Sequence, residues 1–100
     1  MNKVTASVYY LTCKIPKGKV VSYSELGKAV GVNARKVAWL MKKNPYAPFV
    51  PCHRVVQKNG CLGGYSGPGG VKKKKQLLEA EGVTFVERRI CKRCFYYFKK

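Results

Sequence analysis

Acidic residues are scarce in this chain. Among its 100 residues only four are Asp or Glu, against 21 Lys or Arg, for a formal net charge of +17 at pH 7. So large an excess works against a compact state by self-repulsion, and its natural complement is a polyanion: DNA, RNA or an acidic surface. Long apolar runs are also missing. No stretch approaches the roughly 20 residues that a membrane-spanning helix needs. The opening "MNKVTASVYYLTCK" has no apolar signal-peptide core. No membrane partner is expected. The five cysteines are an odd number, ill suited to a fully paired secreted framework. A reducing compartment is expected instead, the cytoplasm with its nucleoid or a eukaryotic nucleus. Aspartate is absent altogether, and histidine occurs once, at His53.

What is present suffices for one small domain. The apolar fraction of 46% is ordinary for a globular fold, and a chain of this length buries one modest core. Val4, Val8 and Leu11 predict a helix over 4–14. "IPKGKVVSY" reads as a turn and an extended stretch to Tyr23. Ser22-x-x-Glu25 is a capping-box pattern, and Gly31 a stop, so a short helix lies between them. Asn33 caps the next, whose inward stripe is Val37, Leu40 and Met41, ending at Asn44-Pro45. Two short helices joined by a Gly-containing turn form a helix-turn-helix pattern. After it come a short strand in "RVVQKNG", a glycine-rich loop, a helix over 71–82 and a further strand. The expected fold is α/β, mostly helical: a single small domain with a helix-turn-helix, a short parallel or mixed sheet element, a Pro-Cys-His-Arg-Val turn and a C-terminal helix. Residues 1–86 make this domain and 87–100 a basic aromatic tail, the one segment whose composition permits disorder, although Tyr96, Tyr97 and Phe98 between its lysines could also dock on the domain or meet nucleic acid.

The stretch "PFVPCHRVVQKNG" places Cys52 beside the sole imidazole, behind Pro45, Pro48 and Pro51. A thiol reacts as its thiolate, and a free one with a pKa near ~8.5 is mostly protonated at neutral pH. Adjacent side chains on extended backbone point apart. A Cys–His partnership therefore needs a turn or a bridging water, and the prolines supply a stiff, non-extended path. An arbitrary Cys-His pair is more often a buried, inert thiol beside a structural histidine.

The company it keeps changes that reading. "PCHRV", "GGYSG" and "LLEAEG", downstream of a helix-turn-helix ending "MKKNP", resemble the O6-alkylguanine-DNA alkyltransferases, the methylated-DNA–protein-cysteine methyltransferases. The resemblance runs from about Val8 to about Val86, and the catalytic domain it implies begins almost at Met1, so the chain is expected to hold that domain without the separate N-terminal domain many members carry. It implies DNA repair by direct reversal: an O6-alkylated guanine, mainly O6-methylguanine, is flipped out through the minor groove of double-stranded DNA. Its alkyl group passes once and irreversibly to Cys52. His53 is implied as the base acting through water, Glu81 as the group orienting it, Tyr23 as the donor to the departing guanine and Asn44 as a hinge. Arg35 is implied as the finger filling the emptied stack. Asn33, Ala34, Lys36, Trp39 and Tyr23 join it on the DNA-binding face. Val55, Gly64, Tyr65, Ser66 and Met41 are placed around the guanine pocket, with Val55 equally readable as core. Trp39 stands where a smaller residue is common and is expected to be partly exposed.

The remainder is less specific. Cys91-x-x-Cys94 is half of a zinc set, but the one histidine is engaged elsewhere, so neither metal nor cofactor is expected. "KKKK" at 72–75 reads as a solvated helix face adding attraction for phosphate. A monomer is expected. The alternatives are a non-catalytic alkyltransferase-like lesion binder, disfavoured because Cys52 is intact, and a thiol hydrolase, which explains neither the charge nor the helix pair.

Overall fold

A computed structural model of the chain describes residues 2–46, 49–63 and 69–98. Its first half is helical. Helix α1 (Lys3–Cys13) starts where Asn2 Oδ1 accepts the Thr5 N–H at 2.8 Å. It is followed by strand β1 (Val21–Ser22), α2 (Tyr23–Val30) and α3 (Ala34–Lys42). The Ser22 hydroxyl accepts the Glu25 N–H at 3.0 Å, and Asn33 Oδ1 accepts that of Lys36 at 2.8 Å. Each cap satisfies an amide that a helix start leaves without an internal partner. Gly31 closes α2 at φ +91°, a left-handed conformation that glycine adopts without strain. The helix-turn-helix is formed as the caps predict.

A 3₁₀ turn, Cys52–Arg54, then leads into β2 (Val55–Val56), which runs parallel to β1 with Val21 opposite Val55 and Ser22 opposite Val56. This two-rung pairing positions the site. Strand β1 ends just before Tyr23, and β2 begins just after the Cys-His-Arg turn. Helix α4 (Gly70–Ala80) follows, with Glu81 as its C-cap. One core gathers Val8, Leu26, Val37, Leu40 and Val55; a second gathers Val20, Val56, Leu78 and Val83.

The tail is folded through residue 98, where its composition permitted disorder. Strands β3 (Phe85–Val86) and β4 (Arg89–Ile90) form an antiparallel hairpin turning at Glu87 and Arg88, both at positive φ. Beyond it, Val20 N–H donates to Cys94 O at 2.8 Å and Tyr96 N–H to Val20 O at 2.7 Å. The segment thereby lies alongside β1 through a parallel bridge, Val20 to Phe95. Ile90 and Cys94 are buried in the second core, and Tyr96 and Phe98 pack on the first. Aromatic burial holds this basic segment down, an effect its charge obscured.

Candidate active site and nucleic-acid interface

Cys52 opens the 3₁₀ turn, its N–H donating to Val50 O at 2.8 Å, while Arg54 N–H donates to Pro51 O at 2.9 Å. The turn overcomes the alternation of extended backbone and buries both Cys52 and His53, each 3% exposed. His53 Nε2 lies 2.9 Å from Glu81 Oε2. With that nitrogen donating to the carboxylate, Nδ1 is left as the proton acceptor. Burial lowers the His53 pKa below its usual value; Glu81 pulls it back only in part, and Arg54 and Lys74 add to the depression. The imidazole is thus neutral at physiological pH and able to act as a base.

Glu81 is held on its other side by Arg54. The guanidinium donates through Nε to Oε1 at 2.9 Å and through Nη2 to Oε2 at 2.8 Å, and Nη1 donates to Ile15 O at 2.9 Å. Burial alone would raise the Glu81 pKa, but the hydrogen bonds from Arg54 and His53 outweigh it and hold the carboxyl below its usual range. A two-point fork of this kind fixes both position and charge. The sequence reading assigned no role to Arg54, although it stands in the quoted motif directly after His53.

On the other side of Cys52 lies a cavity of about 870 Å³, within the range of small-molecule sites. Cys52, Tyr23, Met41, Gly63, Ala34 and Arg35 are among its walls. Tyr23 is the first residue of α2. Burial, and then the neighbouring Cys52 sulfur, push its phenol up to about 12, so it keeps its proton. A Cβ on Gly63 would lie 2.9 Å from the Tyr23 hydroxyl, so only glycine lets the ring stand there.

Lys72, Lys73 and Lys75 are exposed as a solvated face requires, but Lys74 departs from that reading. It is 0% exposed, and its ammonium donates to Leu62 O at 2.6 Å and Val55 O at 2.8 Å. It also reaches the Tyr23 hydroxyl at 3.4 Å. Burial lowers its pKa to about 8, with Cys52 pulling the other way. A signal for this was present: Lys74 lies one helical turn before the inward Leu78. Of the two readings open for Val55, pocket wall or core, the structure favours the core. The Val55 side chain is wholly buried there rather than on the cavity wall, because strand pairing with Val21 turns it inward.

Asn44 is buried where α3 ends. Its Nδ2 donates to Val50 O at 3.0 Å, and its Oδ1 accepts the Tyr46 N–H at 2.9 Å. It therefore fastens the segment that delivers Cys52. Arg35 and Lys36 are exposed on the first turn of α3. Trp39 is 52% exposed, with the ammonium groups of Lys36 and Lys43 at 4.9 and 5.9 Å from its ring. Gly64, Tyr65 and Ser66 lie outside the described residues. Among the described residues no cluster of His, Cys, Asp and Glu is built to hold a metal.

Comparison with known proteins agrees with this architecture. Residues 3–83 match the model of the 6-O-methylguanine DNA methyltransferase, DNA binding domain. A methylated-DNA–protein-cysteine methyltransferase of Saccharolobus islandicus is 46% identical over 81 residues, 81% of this chain and 52% of that protein. The chain thus spans about half the length of the curated relatives it matches. The O6-methylguanine-DNA methyltransferase of Pyrococcus kodakaraensis superposes with a TM-score of 0.74 at 44% identity, over 83% of this chain and 48% of that one. S. pombe Atl1, solved with damaged DNA containing O6-carboxymethylguanine, superposes with a TM-score of 0.74 at 36% identity, over 84% and 80%. The motif, the cavity beside its cysteine and these likenesses place the chain in the O6-methylguanine DNA methyltransferase family.

Proposed function

We propose that this protein repairs DNA by direct reversal, taking the alkyl group of an O6-alkylguanine onto its own Cys52 in one irreversible turnover. The observation that carries the reading is the position of Cys52, buried but forming a wall of a cavity large enough to admit a purine, with the His53–Glu81–Arg54 chain behind it. His53 takes the thiol proton through a bridging water, and Glu81 holds the imidazole in the tautomer that can do so. The thiolate attacks the sp³ carbon on O6; the S–C bond forms as the C–O bond breaks. The electron pair passes into the guanine ring, which takes a proton from the Tyr23 hydroxyl. The Lys74 ammonium at 3.4 Å stabilises the phenolate left behind. No step restores the thiol, so each molecule reacts once.

Delivery of the base falls to α3. Arg35, exposed at the cavity mouth, replaces the extruded nucleotide in the stack, where a planar cation offsets the few kcal/mol of unstacking. Recognition through the minor groove is largely independent of sequence, as its code is degenerate.

The 80% coverage of Atl1 favours one second reading, lesion binding without transfer. One experiment separates the two. The protein is incubated with a duplex containing O6-methylguanine, and its peptides are examined by mass spectrometry. The expected result is a 14 Da (about one methylene, by arithmetic on the transferred group) gain on the Cys52 peptide, absent in Cys52→Ala, which still binds duplex. Binding with no gain in mass would leave the lesion-binding reading in its place.

A further inference from the structure

A second groove, of about 470 Å³, opens beside the start of α3, on the other side of Ala34 from the reactive cavity. Its floor comes from the helix-turn-helix, and its far wall is Phe95 and Tyr97 of the C-terminal segment. Those two residues lie beyond the 3–83 span that matches the family. Lys28 and Lys58 line the groove against a single carboxylate, Glu25. The local balance is therefore cationic. Residues 87–100 add six further basic residues and one acidic one.

Tyr97 is 64% exposed, yet it is not loosely held. Extended backbone alternates its side chains. Tyr96 and Phe98 point inward, packed edge to face at 5.6 Å and seated on the main core. The Tyr96 N–H is pinned to Val20 O at 2.7 Å. The Tyr97 backbone is consequently held so that its ring stands on the outer side, along the groove. An exposed aromatic ring near exposed lysines suits a sugar-phosphate chain, whose phosphates meet the ammonium groups while its sugars meet the ring.

We propose that this groove binds the backbone of duplex DNA beside the lesion, so that the C-terminal segment is part of the DNA-binding surface. The inference rests on the repair reading only for its ligand. Continuity supports it: Ala34 borders both cavities, so a duplex engaged by Arg35 runs on past Lys58 and Tyr97. The groove is positioning machinery and takes no part in the chemistry.

The test uses the full chain with Tyr97→Ala, Lys58→Gln and their combination, and binding to an undamaged duplex is measured by fluorescence anisotropy over a salt series. Lys58→Gln should reduce the slope of log affinity against log salt by about 1, as expected for one lost phosphate contact. The combined variant should weaken binding about tenfold, and Tyr97→Phe should restore what Tyr97→Ala loses. Unchanged melting temperatures would assign these losses to the surface. Photo-cross-linking from an iododeoxyuridine duplex should label the peptide that holds Tyr97. Unaltered affinity and slope in the combined variant would overturn the proposal, as would a tail peptide free of cross-link. Weakened binding by these variants, in a protein that transfers no methyl, would uphold the groove while the repair reading fails. Normal transfer with indifferent variants would remove the groove alone.

Discussion

Glu81 occupies the C-cap of α4, where the helix dipole disfavours a carboxylate. Its two partners, Arg54 and His53, explain why it is tolerated. Glu81→Gln keeps a hydrogen bond toward His53 but loses the charged fork to Arg54, leaving that guanidinium half-satisfied. Transfer should slow by about 10- to 100-fold and stability should fall by about 2 kcal/mol, less than for a fully buried pair because both side chains retain some exposure. The pH sign follows from the lowered pKa. The unmodified carboxylate contributes its stability above its ordinary value of 4.5 and loses it as the pH falls through the lower, folded value. Urea titrations at pH 7 and in acid should therefore show a gap between the two proteins that closes in acid. Lys74 has the opposite profile. Its folded pKa, about 8 against an ordinary 10.5, means that the buried cation subtracts stability below about pH 8 and that the penalty fades toward pH 10.5. Relative to Lys74→Met, the unmodified chain should gain about 3 kcal/mol over that window. At pH 7 the same substitution should slow transfer at least tenfold, through the lost contact with Tyr23; an unaltered rate would deny Lys74 any part in the reaction.

At the scale of the elements, the turn between α2 and α3 sets where Arg35 stands relative to Cys52. Two glycines there behave differently. A Cβ on Gly27 would meet Val32 O at 2.5 Å, and backbone cannot yield as a side chain can. A Cβ on Gly31 would meet open space, and only its φ of +91° is strained. Gly27→Ala should cost about 2–3 kcal/mol by overpacking and Gly31→Ala about 1 kcal/mol by conformation. Thermal melts of the two variants should rank them in that order, and the reverse order would mean that the helices separate more freely than the packing implies. Such helix ends were legible in the sequence because Ser22, Asn33 and Gly31 act on their immediate neighbours. The β1–β2 pair was only partly legible. Two residues per strand carry almost no pattern, and their partnership spans more than thirty positions. Cys52, His53 and Glu81 were legible as a set through the motif, whereas Lys74 was hidden in a run of identical residues. Charge in a sequence implies solvent, and only the inward register shared with Leu78 argued otherwise. The tail was legible only in part: its aromatic residues allow docking on the domain, but its arginines and lysines mask Ile90, Cys94, Tyr96 and Phe98, which fasten it.

For the molecule as a whole, the charge of +17 must act on folding and on binding with opposite consequences. Among the described residues the only ion pair joins Arg54 to Glu81, and it is largely shielded from solvent. The remaining cations repel one another across a body with a radius of gyration of 12.2 Å, only slightly more than the screening length of about 10 Å at 0.1 M salt. Added salt should therefore relieve self-repulsion and raise the melting temperature, where a fold held by surface ion pairs would lose stability. Duplex binding should move the other way, because each phosphate neutralised releases counterions and contributes about −0.9 to the slope of log affinity against log salt. With Arg35, Lys36, Lys58 and neighbouring lysines engaged, affinity should fall by at least about a hundredfold between 50 and 200 mM salt. Reaction with a free O6-alkylguanine base, which is uncharged and needs no phosphate contact, should be nearly indifferent to the same change. Melting, anisotropy and single-turnover transfer over one salt series measure all three responses. If transfer to duplex and to free base weakened in parallel, salt would be acting on Cys52 and its partners, and the excess charge would have to be explained by something other than holding DNA.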